Sequence, residues 1–181
     1  DGSIYIAGYT RGDLDGQTSS EGTGQDAFIS KYNSDGTKYW TKILGSSLHD
    51  IAYALTTGSD GSISIAGKTG GDLDGQTNSG GYDQLMSGGS DAFISKYNSD
   101  GTREWTRLLG TSGDDEGHAL TIGSDGSIYI AGKTAGDLDG QTNSGGYDAF
   151  ISKYNSDGTK DWTKLLGTSG DDEGHALTIG S

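Results

Sequence analysis

The heptapeptide GDLDGQT occurs three times, at 12–18, 71–77 and 136–142. Each copy sets two carboxylates one residue apart, then a glycine, an amide and a hydroxyl. Another aspartate stands just before the next apolar run. Such a group suits a hard cation, because Ca²⁺ gathers about 6–8 oxygens from carboxylates, amides, hydroxyls and carbonyls. The glycine lets the backbone fold back so that carbonyls can join. On this reading Ca²⁺ is the expected cofactor. The ligand candidates are Asp13, Asp15 and Asp26 in the first copy, and Asp72 and Asp74 with either Asp83 or Asp91 in the second. In the third they are Asp137, Asp139 and Asp148. The match to the EF-hand is partial, since Ala135 holds one ligand position and no closing Glu follows. The competing reading needs no metal. Aspartates bind backbone N–H groups two residues on, and glycine-rich turns need such support. Loop length and the mutual repulsion of uncompensated carboxylates favour the metal.

Other side chains could also do chemistry. Trp40, Trp105 and Trp162 recur once per copy and could stack on sugars. Burial of their large area against a neighbouring sheet is the competing expectation. A second acidic motif, GDDEGH, appears at 113–118 and 170–175, where the first copy has LHDIAY. Asp50, Asp115 and Asp172 recur there and read as structural. His118 and His175 align with Tyr53. For zinc or acid–base work these imidazoles must converge with carboxylates, which spacing alone does not show; the favoured expectation is surface histidines near the channel mouth. Arg11-Gly12-Asp13 forms an RGD tripeptide, but its counterparts are GGD and AGD, so it reads as chance. No catalytic residues are assigned, because no unique nucleophile–base constellation stands out from the repeats.

The totals narrow the function classes. The 181 residues include 12 Lys and Arg against 26 Asp and Glu, a net charge of −14. Nucleic-acid binding draws its affinity from Lys and Arg clusters, so it is not expected. There is no Cys, hence neither disulfides nor thiolate zinc sites. No apolar run approaches the ~18 residues of a membrane-spanning helix, so membrane insertion is not expected. The opening Asp1-Gly2-Ser3 reads as a mature form or a piece of a longer chain. There are 34 glycines and no prolines, and the glycines are periodic.

The positioning elements follow from the repeat. DGSIYIAG at Asp1 returns at Asp60 as DGSISIAG and at Asp125 as DGSIYIAG, giving units 1–59, 60–124 and 125–181. Unit two carries an insert near 84–91. Apart from it, units two and three differ at Ser64/Tyr129, Gly70/Ala135, Arg103/Lys160, Glu104/Asp161 and Arg107/Lys164. Within each unit SIYIAG and DAFISKYN alternate apolar and polar residues, as half-buried strands do. WTKIL and IAYALTTG complete a set of four strands. The SDGS and NSDGT segments between them are hairpin signals. The expected fold is all-β: a β-propeller of four-stranded antiparallel blades, three per chain.

The stretch DGSIYIAG…DAFISKYNSDGTKDWTKLLGTSGDDEGHA resembles the bacterial SBBP (seven-bladed beta-propeller) repeat family, in three tandem copies over the whole chain. The resemblance implies secreted or surface-attached bacterial proteins, mostly non-enzymatic, and brings no catalytic residues. By blade logic HALTIGS is the inner strand and WTKLLG the outer edge. Unit one then lacks an inner strand, and unit three ends in the segment that would complete a first blade. Three blades are fewer than the usual 4–8. Two chains forming a six-bladed ring, or neighbouring blades of a longer chain, are the expected partners. The functional expectation is a calcium-stabilised scaffold for adhesion or assembly, with a surface protein or glycan as partner. The alternative is a lectin-like propeller with one glycan site per blade.

Overall fold

A computed structural model describes residues 2–20, 24–80 and 89–180. Alternating apolar residues and Asp-Gly turns produce eleven strands among the described residues, and no helix. They are β1 (Ile4–Thr10), β2 (Asp26–Tyr32), β3 (Lys38–Leu44), β4 (Asp50–Thr57), β5 (Ile63–Thr69), β6 (Asp91–Tyr97), β7 (Arg103–Leu109), β8 (Asp115–Ile122), β9 (Ile128–Thr134), β10 (Asp148–Tyr154) and β11 (Lys160–Leu166). They form three antiparallel sheets in the orders β1-β2-β3, β4-β5-β6-β7 and β8-β9-β10-β11. These are propeller blades, not closed into a ring.

Each inner strand is encoded one repeat ahead of the strands it joins. β4 belongs to the sequence of the first repeat but pairs with β5, with Asp50 opposite Thr69 and Leu55 opposite Ile65. β8 likewise pairs with β9. The inner strand begins at Asp115, earlier than the HALTIGS segment alone implies. Residues 167–180 form no strand.

The core lies between the blades. Ile63, Ile65, Phe93 and Tyr97 pack against Ala27, Ile29 and Leu44 of the first blade. Ile128, Ile130, Phe150 and Tyr154 pack against Ala66, Ala92, Ile94 and Leu109 of the second. Period-two alternation serves both sides: Phe93 faces one blade, Ala92 and Ile94 the other. The middle sheet therefore buries both faces, and β6 is buried throughout. In each sheet one buried Ser–Thr pair is hydrogen-bonded: Ser30–Thr41 (2.8 Å), Ser95–Thr106 (3.0 Å) and Ser152–Thr163 (2.7 Å). Those pairs offset the cost of burying hydroxyls.

Candidate functional site

The acidic heptapeptide folds as a miniature hairpin. Leu14 N donates to Gln17 O (3.0 Å) and Gln17 N to Leu14 O (2.9 Å), and the same pair of bonds closes Leu73–Gln76 and Leu138–Gln141. Asp15 and Gly16 sit between them with φ of 54° and 74°. Positive φ at both central residues defines the type I′ turn, which Asp-Gly suits because Asp tolerates the left-handed region and Gly has no Cβ to clash. Asp74-Gly75 and Asp139-Gly140 repeat the geometry. The turn carries a plug, since Leu73 and Leu138 are fully buried in the core.

The candidate ligands take separate protein partners. Asp13 Oδ1 accepts from Ser19 N (2.9 Å), Asp72 Oδ1 from Asn78 N (2.9 Å) and Asp137 Oδ1 from Asn143 N (2.8 Å). Asp15 pairs with Lys38, Asp74 with Arg103 and Asp139 with Lys160. The Lys38 ammonium and then the Thr41 hydroxyl hold the Asp15 carboxyl below its usual range. Asp26, Asp91 and Asp148 accept from the backbone N of Ser20, Ser79 and Ser144. Asp83 lies outside the described residues. Among those described, no loop triad brings its three carboxylates within 4.8 Å of one another.

Asp91 and Asp148 nevertheless each keep one oxygen, Oδ1, buried and without a hydrogen-bond partner. The same holds for Asp50 and Asp115 at the starts of the inner strands. Their Oδ2 atoms hold the interblade turn: Asp50 accepts from Ser46 N (2.6 Å) and Asp115 from Thr111 N (2.6 Å). Burial pushes both carboxyls up to about 6, against the opposing pull of their hydrogen bonds. Asp91 adds its own repulsion to Asp115, and burial raises Asp91 as well.

The tryptophans pack against the following blade. Trp40 Nε1 donates to Ser99 O and Trp105 Nε1 to Ser156 O, each at 3.3 Å. Gly101 and Gly158 lie over the Trp40 and Trp105 rings so closely that a Cβ would approach ring atoms at 3.0 and 2.8 Å. Trp162 is partly exposed.

A different cluster forms along the inner strands. Tyr53, His118 and His175 make a row: Tyr53 meets His118 edge-on at 5.5 Å, and His118 stacks on His175 at 5.1 Å with ring planes 7° apart. His118 Nε2 lies 2.9 Å from Glu116 Oε2, and His175 Nε2 lies 3.2 Å from Glu173 Oε2. Lys68 and Lys133 hold the other oxygens of Glu116 and Glu173, at 2.8 and 3.0 Å. The His118 contact, then that of Lys68, lowers the Glu116 carboxyl to about 2 against the effect of its burial. His118, Glu173 and His175 each bring a ligating atom within 4.8 Å of the others. The convergence that the histidines needed is therefore present. Its signal in the sequence is Glu-x-His recurring in register at 116–118 and 173–175.

Bladed sheets, inner strands encoded one repeat ahead and Asp-Gly turns define a class, the β-propeller repeat proteins. Residues 104–139 match the SBBP beta-propeller repeat, and residues 123–163 match a beta-propeller domain of unknown function (DUF5122). The matched stretch, residues 104–163 in all, is beta-propeller repeat sequence. It is also similar to the regulatory protein FlaEY of Caulobacter vibrioides, at 32% identity over 183 residues. The alignment covers 95% of this chain but 19% of that protein, so the chain spans about a fifth of its relative.

Proposed function

We propose that this chain is part of a non-enzymatic β-propeller scaffold, secreted or displayed on a bacterial cell surface, that serves adhesion or assembly. One observation carries the reading. The faces that seal blade to blade inside the chain are uncovered at its two ends. Ile63, Ile65, Ile128 and Ile130 are at most 1% exposed, whereas their counterparts Ile4 and Ile6 are 54% and 49% exposed. Leu44 and Leu109 are 3% and 4% exposed, whereas Leu166 is 79% exposed. The two faces are complementary halves of an interface the chain already builds twice. Blades of the same kind cover them, from a longer chain or from a second copy closing a six-bladed ring.

The test is to place a charge on each face. Ile6→Lys and Leu166→Lys are expected to abolish self-association while the strands remain intact by circular dichroism. Association unchanged in both variants overturns the reading.

Calcium stabilisation is proposed on a separate observation, the bare buried Oδ1 atoms of Asp91, Asp115 and Asp148. Hard oxygens without hydrogen-bond donors suit Ca²⁺. Thermal melts in millimolar Ca²⁺, in Mg²⁺ and in chelator test it. A ligand at about 100 times its dissociation constant adds about 2.7 kcal/mol per site. Identical melts remove calcium from the account. The glycan reading has the weakest support, because neighbouring glycines cover a face of both Trp40 and Trp105.

A further inference from the structure

We propose that His118, His175 and Glu173 form a binding site for a divalent transition metal of the zinc class, on the inner strands where the third blade meets residues 172–175. The site is independent of the scaffold reading and of calcium. Two imidazoles and one carboxylate are a borderline-soft set, which suits Zn²⁺, Co²⁺, Ni²⁺ or Cu²⁺; Ca²⁺ instead demands an all-oxygen shell. Three protein ligands leave a position open for water or an exchangeable partner ligand.

The residues come from two segments. His118 is on β8. Glu173 and His175 lie beyond β11, in a segment placed by Asp172 N donating to Tyr147 O (2.6 Å) and Gly174 N to Gly132 O (3.1 Å). One nitrogen of each ring and one carboxylate oxygen of Glu173 are already within 4.8 Å of one another. Ligands around a tetrahedral ion with bonds of about 2.0–2.1 Å stand about 3.3 Å apart. A closing movement of about 1.5 Å at most is therefore needed.

The support around the site is also of the right kind. A metal-bound histidine commonly gives its other ring N–H to a carboxylate, which fixes the ring and raises its basicity. Glu116 Oε2 stands 2.9 Å from His118 Nε2, and His118 Nδ1 is buried with no hydrogen-bond partner. A proton held between Nε2 and Glu116 leaves Nδ1 as a bare lone pair. Lys133 occupies Glu173 Oε1, which leaves Oε2 for the metal.

One feature of the metal-free arrangement must change. The ring planes of His118 and His175 are almost parallel, and each nitrogen lone pair lies in its own ring plane. Two parallel rings do not aim at one ion. Binding therefore turns the His175 ring out of the stack. Its side chain is 68% exposed, so the rotation meets little packing.

The experiment is a titration of the 181-residue chain with Co²⁺, read by visible absorption, followed by displacement with Zn²⁺ and by calorimetry with Zn²⁺. One ion per chain is expected, with cobalt bands of low coordination number that equimolar Zn²⁺ abolishes. His175→Gln and His118→Gln are each expected to weaken binding by at least about tenfold, and Glu116→Gln by about 10–100-fold as the positioning residue. His49→Gln, on a surface histidine outside the cluster, is expected to leave it unchanged. His175→Gln alters an exposed side chain outside every strand, so its circular dichroism is expected to match the parent. Binding no tighter than millimolar, or binding indifferent to both His118→Gln and His175→Gln, overturns the site.

Discussion

Asp115→Asn converts the buried-carboxylate geometry into a measurable pH dependence. Asp115 is fully buried, with Oδ2 bonded to Thr111 and Oδ1 bare. Its carboxyl rises from 3.8 to about 6. The folded state thus holds the proton more tightly than the unfolded state does. The resulting stability is fully present below pH 3.8 and is lost as pH rises through 6. A shift of roughly two units is worth about 3 kcal/mol at 1.36 kcal/mol per unit. Asn keeps the shape and the neutral charge at every pH, so it removes this share of the loss. In a chain of this size about 3 kcal/mol moves the melting temperature by roughly 6–12 °C. The assay is a set of thermal melts in chelator from pH 4 to 8. Wild type and Asp115→Asn are expected to coincide near pH 4 and separate as pH rises, the variant melting higher at pH 7. Glu116 does not mask this. Its lowered carboxyl contributes stability above pH 4.5 that is lost only as pH falls through about 2. A variant that is less stable than wild type at every pH refutes the reasoning, because the charge itself would then be needed.

Three further outcomes follow from the same geometry. Gly75→Ala tests backbone strain alone, since φ is +75° and no atom lies within 4 Å of the added Cβ; a loss of about 1–2 kcal/mol in urea melts is expected. Gly158→Ala adds a clash with the Trp105 ring at 2.8 Å to a φ of +81°, so its loss must exceed that of Gly75→Ala by roughly 1–3 kcal/mol. Leu138→Ala empties the buried plug of the acidic turn and is expected to cost about 2–5 kcal/mol by the same assay. Losses near zero at Leu138 would return the heptapeptide to a purely surface role.

Much of the fold was legible because its signals are local. Alternation in DAFISKY and SIYIAG gave strands, and Asp-Gly gave turns. The offset of the inner strand followed from repeat order, although its first residue did not. The heptapeptide was ambiguous because one composition serves both readings. Asp-x-Asp-Gly can ring a cation or set a type I′ turn, and the sequence does not show that Lys38, Arg103 and Lys160 reach Asp15, Asp74 and Asp139 from a strand 21–29 residues away. The buried Leu of the turn has no signature in the sequence, because a single leucine in a polar loop carries no period. The histidine row is half legible: Glu-x-His recurs in register at 116–118 and 173–175, but His118 and His175 are 57 residues apart and only the folded chain stacks them.

The central claim is that the two uncovered blade faces bind blades of the same kind. Light scattering on the purified 181-residue chain, across a dilution series, tests it most directly. The account predicts a particle of twice 18.7 kDa that dissociates on dilution and in the Ile6→Lys variant. A stable 18.7 kDa particle with intact strands at every concentration would contradict it.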